Sequence, residues 1–505
     1  MPHLLEKDQD PDPDQHQDQM DAAGSRSSPE RFLGQNYEEL HRDFVKHKAR
    51  FLDDKFPPNE SSIGEGLLSD SEMARVEWRR PTKMVADPHL VVDGESRFDL
   101  AQGELGNCWF LAAIGAITFR RDIMAEIVPE GQSFRRDYAG IFHFRFWRFG
   151  KWVDVVVDDK LPTIDGQLIF VHCKTRNEFW PALLEKAYAK VCGSYADLHG
   201  GFISEALCDF TGGVYLTLRL KANHPEHWAL LHRAAQYKSS MGCGSHPGAT
   251  SANTELANGI VEGHAYAVTG VTKVTSEGKP VKLVRLLNPW GHKEWNGDWS
   301  DRSPLWGSVN AEEHRKLLQM KDDGEFWMSM EDFCKNFSNV DICCQSPAFL
   351  DGSSESSWTT ASYQGRWDEK TAGGSMEYKQ SFWMNPQYRV KIPAIETDKT
   401  KAHEFNLLVS LMQKPNSRHR RHIQNHPFGF SVFAVPPELE DKKSFPATFF
   451  TSSVLVAQSK IQSNTREVVE YLRLKPGHYL IVPFTHKPKD TASFLLTLHS
   501  KIKPH

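Results

Sequence analysis

Apolar and polar positions along this chain follow a helical or a strand-like period in successive regions. The apolar, alanine-rich run from Cys108 to Ala113 follows two glycines and predicts a helix that begins at the cysteine. Phe142–Val157 is expected to hold a hairpin, and Phe179–Lys190 a helix with Pro181 near its first turn, a favoured position. Apolar and polar residues alternate again directly after His264, which predicts a strand.

The pattern changes near residue 346. Helical periodicity fades, and short alternating segments separated by glycine and proline turns take over, which is typical of an all-β sandwich. The predicted strands are Leu407–Met412, Phe428–Val435, Tyr479–Pro483 and Phe494–Leu498. The basic run Lys414–His422 lies between two of them. It is either a solvated hairpin tip or a contact for acidic lipid or an acidic loop.

Composition narrows the class of protein. The chain has 505 residues, which suggests two to four domains, and its net charge of −5 argues against a nucleic-acid partner. It has no apolar run of 18 residues and a polar, acidic N-terminus, so we expect neither a transmembrane helix nor a secretory signal. Eight cysteines without regular spacing indicate a reducing compartment, and the predicted location is the cytoplasm.

Cys108 is a candidate nucleophile. The N–H groups and dipole at a helix N-terminus favour a thiolate. Gln102, six residues earlier, is placed to donate a hydrogen bond near the sulfur, as an oxyanion donor does. The cysteine alone is weak support, because most free cysteines are small buried hydrophobic residues.

Two further segments strengthen this interpretation. His264 stands at the head of a predicted strand, and Asn288 follows the strand Lys282–Leu287, just before a turn that contains Trp290. Papain-like proteases keep the same order of cysteine, histidine and asparagine, with the partners roughly 130–150 residues downstream of the cysteine. There the histidine pairs with the thiolate, the asparagine orients the imidazole and the tryptophan shields their hydrogen bond.

From about residue 35 to its end, the chain resembles the calpains, which are calcium-dependent cytosolic cysteine proteases. The matching segments are Tyr138–Phe144, Val155–Asp159, Glu178–Lys190, Asp323–Met328 and Phe382–Tyr388. The resemblance implies a calcium-activated intracellular cysteine endopeptidase that makes limited cleavages in protein substrates.

It also implies an α+β fold, in which a two-lobed papain-like cysteine protease core precedes a C2-like antiparallel β-sandwich. Ser61–Met84 is expected to be an extended lead-in, and the Gly- and Ser-rich stretch Ser239–Asn258 a surface loop. The segments are a disordered acidic tail (1–30), an N-terminal anchor and lead-in (31–84), a cysteine lobe (85–212), a histidine and asparagine lobe (213–345) and the sandwich (346–505).

The resemblance further implies two calcium ions in the protease core, each held by carboxylate and carbonyl oxygens. The first site takes the carboxylates of Asp99 and Glu178 and the carbonyls of Val92 and Gly94. The second takes four carboxylates and one carbonyl: Glu294, Asp301, Asp323 and Glu325, with the carbonyl of Lys321. The alternative is that these acids have no role in metal binding and form salt bridges or face solvent.

The chain departs from many calpains in two ways. It contains no EF-hand loop and ends directly after the sandwich, so we expect no small-subunit partner. The stretch Ile395–Lys401 is nearly neutral where many calpains are strongly acidic, which disfavours a calcium-binding loop there. A contact with acidic phospholipid through the sandwich stays open.

Two other functions remain as alternatives. One is a catalytically weak or inactive adaptor that acts through the C2-like domain. The intact set of Cys108, His264, Asn288, Gln102 and Trp290 argues against it. The other is a transglutaminase, which also uses a Cys-His pair, but with aspartate as the usual orienting residue. Asn288 disfavours it.

Overall fold

The computed structural model describes residues 23–103, 105–221, 225–250, 252–394 and 405–502. The described chain separates into two units, Pro29–Gln345 and a second that comprises the described parts of 1–28 and 346–505. Within these ranges no helix is long and apolar enough to cross a membrane. The expected acidic tail up to residue 22 and the stretch Ile395–Lys401 lie outside the described residues.

The helix that begins at Cys108 forms the centre of the first unit. It spans Cys108–Ile117, and every residue after the cysteine is buried. It is apolar all round because it packs on one side against the helix Ile203–Thr211 and on another against the strand Ala265–Ser276. A side chain at Gly115 would lie 3.6 Å from both Ala267 and Leu287. The helix therefore joins the two halves of this unit in one core.

The first half of this unit surrounds that helix with further helices and three small sheets. Its other helices are Tyr37–Lys46, Glu60–Ile63, Asp70–Arg75, Pro81–Met84, Arg121–Ile127, Trp180–Cys192 and Ile203–Thr211. The sheets, in strand order, are Glu30–Arg31 with Lys151–Asp158 and Ile141–Arg148, then Glu77–Arg79 with Leu161–Ile164 and Gln167–Leu168, then Leu100–Ala101 with His172–Cys173. The predicted hairpin and the predicted helix with Pro181 in its first turn are both confirmed.

The second half is built on one antiparallel six-stranded sheet. In spatial order its strands are Glu325–Ser329, Lys279–Leu287, Ala265–Ser276, Ser240–Ser245, Phe337–Cys344 and Val214–Arg219. The helices Glu226–Gln236, Ala311–Leu317 and Met330–Asn336 accompany it. The strands predicted after His264 and before Asn288 are confirmed, and they are direct neighbours. Their pairing brings the two ends that carry these residues together.

The expected surface loop Ser239–Asn258 is wrong in its first part. Ser240–Ser245 is a largely buried strand between two others, at the middle of the six-stranded sheet. Gly242 is needed there, because a Cβ at this position would meet Ile203 Cγ2 at 2.4 Å. A helix packs closely against the strand at this glycine, and glycine content alone does not distinguish that case from a loop.

The expected extended lead-in Ser61–Met84 is also wrong. This stretch includes most of the helix Glu60–Ile63, the helices Asp70–Arg75 and Pro81–Met84 and a short strand. Ser69 and Glu72 form a reciprocal capping box at the start of one helix. The Ser-x-x-Glu spacing was the available signal, and the scarcity of apolar residues obscured it.

The second unit is a sandwich of two four-stranded antiparallel sheets, as predicted. One sheet has the order Trp358–Trp367, Ala492–Lys501, Leu407–Gln413, Glu467–Leu472. The other has the order Tyr388–Ile392, Gly477–Thr485, Phe428–Val435, Leu455–Gln458, and the short helix Ala447–Ser452 precedes its last strand. Side chains from both sheets, such as Val409 and Phe430, share one core. All four predicted strands are present.

Candidate active site

Cys108 lies at the first position of its helix, where the sequence placed it. The preceding loop passes close to other backbone, because a Cβ at Gly103 would meet the carbonyl oxygens of Ile169 and Phe170 at 2.4 Å. Glycine is therefore required there on steric grounds. Gln102 donates from its side-chain nitrogen to the carbonyl of Leu105 at 3.0 Å, while its Oε1 is buried without a partner among the described residues.

The side chain of Asn107, which precedes Cys108, is held by a hydrogen bond to a buried acid. Its side-chain nitrogen donates to Glu185 Oε2 at 2.6 Å, and the backbone N–H of Val171 donates to Glu185 Oε1 at 3.1 Å. Burial raises the pKa of Glu185 to about 8. The loop that carries the nucleophile candidate is thus anchored to the helix Trp180–Cys192.

His264 and Asn288 come from adjacent strands and are hydrogen-bonded. His264 Nε2 lies 2.8 Å from Asn288 Oδ1, and the Trp290 indole packs over the imidazole with ring centroids 4.5 Å apart. Both hydrogen-bonding residues are buried. With Nε2 engaged, Nδ1 is the nitrogen left to act on another group, and in the described part of the chain it has no partner.

Burial disfavours the charged forms of both the thiol and the imidazole. Burial raises the pKa of the Cys108 thiol, against a lowering by the backbone N–H of Ala265, the residue directly after His264. Burial lowers the pKa of His264 to about 4, although the bond to Asn288 favours its charged form. Charge separation between them is therefore costly in this environment, and a nearby charge of the right sign lowers that cost.

The carboxylates of the first expected calcium site are together. The indole N–H of Trp180 donates to both Asp99 Oδ2, at 3.2 Å, and Glu178 Oε1, at 3.0 Å. Burial and the nearby Asp99 carboxylate raise the pKa of Glu178 to about 7. The backbone N–H of Val92 also bonds Glu178, and Gly94 follows in a left-handed turn. Two acids this close, Glu178 buried and Asp99 half-buried, favour a cation, so the oxygen donors fit calcium.

The second expected site is a cluster of four acids from two segments of the chain, 294–301 and 323–325. Glu294 and Asp301 share a hydrogen bond, and burial is the largest cause that raises their pKa values, to about 8 and about 6. The backbone N–H of Gly324 donates to the Glu294 carboxylate, and the backbone N–H of Lys321 donates to the Asp301 carboxylate. The pKa of Asp323 is also raised by burial. This oxygen-rich set likewise suits a hard cation.

Glu325 is held differently from the other acids of that set. Both of its oxygens bond Arg97, at 2.7 and 3.0 Å, and Arg285 is 3.3 Å away. Arg97 belongs to the first half of the unit, so this ion pair crosses between the halves. Sequence reasoning missed Arg97, and no motif marks it. It also missed Trp180, although its position two residues after Glu178 was a usable signal.

The model of the calpain family cysteine protease matches residues 51–344, which is more than half of the chain. The chain belongs to the calpain family. The calpain catalytic subunits it resembles include the rat calpain-1 catalytic subunit, with 42% identity over 489 residues, covering 95% of this chain and 69% of the relative. The human calpain-2 catalytic subunit is 40% identical over 489 residues, covering 95% and 70%.

The sandwich is also assigned within the calpain family. The model of domain III of the calpain large subunit matches residues 363–499, which contain nearly all of the described sandwich strands. The first unit is thus the cysteine protease part of a calpain, and the second is its C2-like domain. The expected enzyme class and fold are both confirmed.

Proposed function

We propose that this calpain-family protease is a calcium-activated intracellular endopeptidase that makes limited cleavages in protein substrates, with Cys108 as its nucleophile. One observation supports this most: His264 is bound through Nε2 to Asn288 at 2.8 Å, and its Nδ1 has no hydrogen-bond partner among the described residues. The strand that follows His264 packs against the helix that begins at Cys108. An inactive adaptor has no need to keep a buried imidazole with one nitrogen unpaired, since that costs free energy.

These residues support the following chemistry. Cys108 Sγ attacks the scissile carbonyl carbon as its proton passes to His264 Nδ1. The side-chain amide of Gln102 and the backbone N–H of Cys108 donate to the oxyanion. His264 then protonates the departing amine, which leaves a thioester that water hydrolyses with the imidazole as general base. Asn288 keeps the imidazole oriented, and Trp290 screens that hydrogen bond from water.

Two calcium sites are part of the proposal. Asp99 and Glu178 with the carbonyls of Val92 and Gly94 would hold one ion. The other would lie among Glu294, Asp301, Asp323 and Glu325 with the carbonyl of Lys321. Bound calcium supplies positive charge that relieves repulsion within each acid cluster. The chain's own contribution is geometric, because Asp99 lies three residues before Gln102, and Glu294 lies four residues after Trp290.

The remaining expectations stay predictions. They are the cytoplasmic location, a contact of the sandwich with acidic phospholipid, and independence from a small subunit. The stretch from Lys414 to His422 ends in a short helical turn, Arg420–His422, and its arginines have interaction partners within the chain. A contact with lipid would therefore compete with those interactions.

A casein digest titrated with calcium tests the proposed function. We expect cleavage to limited fragments that rises with calcium and stops when a chelator is added. The Cys108→Ser chain, assayed in parallel, should not cleave at any calcium concentration. Cleavage that is equally fast in chelator and in calcium would reject the calcium requirement, and absence of cleavage throughout would favour the adaptor.

A further inference from the structure

A thiol lies inside the first acid cluster. One ligand atom from each of Asp99, Cys173 and Glu178 lies within 4.8 Å of the other two. Cys173 Sγ is 3.6 Å from Glu178 Oε2, and Thr175 Oγ1 lies 3.3 Å from the same sulfur. Cys173 is 6% exposed and Glu178 is 4% exposed. Cys173 and Glu178 belong to one short segment, and the tertiary structure brings Asp99, 74 residues before Cys173, to them.

This donor set is chemically mixed. Calcium takes oxygen ligands, and a sulfur atom offers it nothing. Zinc accepts thiolate and carboxylate together, usually in a tetrahedral arrangement that leaves one position open when three protein ligands are present. We propose that Asp99, Cys173 and Glu178 form a zinc-binding site that overlaps the first expected calcium site.

The distances need only a small contraction. Ligand atoms around a tetrahedral zinc ion with bonds of 2.0–2.3 Å lie roughly 3.3–3.7 Å apart. The sulfur and Glu178 Oε2 already have this separation, at 3.6 Å. The other separations are no larger than 4.8 Å. Asp99 lies at the end of a short helical turn and is only half-buried, so a side-chain rotation can bring it closer.

A second shell of hydrogen bonds is already present. The Trp180 indole N–H bridges the two carboxylates, and Ser96 N donates to Asp99 Oδ2 at 2.7 Å. Such outer partners orient the ligands of a metal site and add to its affinity. Binding replaces the proton of the Cys173 thiol with zinc and releases that proton to solvent, so the site forms without any redox step.

The site is connected to the loop of the nucleophile. Cys173 is the cross-strand partner of Leu100, and Lys174 N donates to the carbonyl of Asp99 at 3.0 Å. The strand Leu100–Ala101 runs directly into Gln102. An ion that draws Cys173 towards Asp99 therefore acts on the segment that positions the oxyanion donor. Because zinc and calcium would share two carboxylates, they exclude each other, and this last consequence rests on the proposed calcium site.

Cobalt(II) and zinc binding to the full-length chain tests the proposal. The Cys108→Ser chain serves as the parent, so that the nucleophile thiol cannot bind metal. In calcium-free buffer we expect cobalt(II) to give the parent a thiolate charge-transfer absorption that one equivalent of zinc abolishes. Adding Cys173→Ser should remove this absorption and weaken zinc binding about tenfold or more. Adding Cys334→Ser is the matched control, because Cys334 is the part-exposed thiol that remains once Cys108 is replaced. This control should change neither the cobalt absorption nor the zinc affinity.

The outcomes separate the zinc site from the proposed function. No cobalt absorption in the parent, or the same absorption and zinc affinity in the Cys173→Ser variant, would overturn the site. Thermal unfolding without metal checks that this near-isosteric variant is folded. Asp99→Asn should also weaken zinc binding, which supports the carboxylate ligand. If saturating calcium fails to reduce the cobalt absorption, the zinc site stands and the first calcium site is wrong.

Discussion

At the residue scale, three buried polar atoms near Cys108 lack a hydrogen-bond partner. They are Gln102 Oε1, Asn107 Oδ1 and His264 Nδ1, counted within the described ranges. Each such atom costs about 1–3 kcal/mol of desolvation. Groups left unpaired in this way concentrate where a bound substrate or a moving proton completes them. Their grouping beside one cysteine is a physical argument for the site that does not depend on family membership.

Replacing the candidate nucleophile should remove activity without unfolding the protein. Cys108→Ser is nearly isosteric, but a serine hydroxyl beside a neutral imidazole is a far weaker nucleophile than a thiol. We expect casein hydrolysis to fall by at least about three orders of magnitude. His264→Ala should be similarly inactive, whereas Asn288→Ala should lose less, because it orients the imidazole and transfers no proton. Circular dichroism serves as the folding control.

A serine variant that still cleaves casein at an appreciable fraction of the parent rate would show that Cys108 is not the nucleophile. In that event another thiol would have to be sought. Of the described cysteines only Cys334 is also part-exposed.

The buried imidazole should make the first unit sensitive to acid. The pKa of His264 is lowered to about 4 in the folded state, from the ordinary value of 6.5. Between these values the unfolded chain binds a proton that the folded chain does not, so stability is full above pH 6.5 and is lost as pH falls towards 4. The full contribution is about 3 kcal/mol.

Urea unfolding at pH 7 and pH 4 measures this contribution. His264→Gln cannot titrate, so its loss of unfolding free energy between the two pH values should be smaller than that of the parent by about 3 kcal/mol. An equal loss in both proteins would mean that His264 is protonated as readily in the folded state as in the unfolded one.

At the scale of elements, a close contact between a helix and a strand joins the two halves of the first unit. The helix Ile203–Thr211 lies on the central strand Ser240–Ser245 at Gly242. Gly242→Ala should destabilise the protein by about 1–3 kcal/mol, because the added methyl group overlaps Ile203 and forces the two elements apart. Thermal and urea unfolding measure the effect.

The same strand supplies a matched control. At Gly244 the nearest atom to an added Cβ is Asn339 Oδ1, at 3.2 Å, which is the end of a side chain that can turn away. Gly244→Ala should therefore cost clearly less than Gly242→Ala. Equal costs would mean that the loss comes from backbone entropy and not from the helix contact. Combining Gly242→Ala with Ile203→Ala should recover part of the lost stability.

At the scale of the whole molecule, the halves of the first unit are joined by packing and by charge. The Cys108 helix shares a core with Ala265, Ala267 and Leu287, and Arg97 bonds Glu325 across the halves. Against this, the neighbouring acids Asp99 and Glu178, and likewise Glu294 and Asp301, repel each other when ionised. A cation at each cluster would remove that repulsion, which is the physical reason to expect the proposed calcium-dependent assembly of the site.

Alkylation of Cys108 tests this assembly. A bulky active-site reagent should modify Cys108 slowly in chelator and at least about tenfold faster in calcium, since only the assembled site places the thiol beside His264. Asp99→Ala and Asp323→Ala should each shift the midpoint to higher calcium. The fragment 29–345, which coincides with the first unit, should bind two calcium ions by calorimetry. Equal alkylation rates in both conditions would contradict a calcium switch.

The sequence by itself determined two things about this protein. One is the set of helices and strands whose residue pattern is local, and the other is the family. The Cys108 helix, the strands beside His264 and Asn288 and the four sandwich strands follow from periodicity, and the spaced motifs identify a calpain-type protease. Only the tertiary structure decided the strand Ser240–Ser245, the ion pair of Arg97 with Glu325 and the approach of Asp99 to Cys173 and Glu178. These depend on contacts between residues far apart in the chain, and no local pattern encodes such contacts.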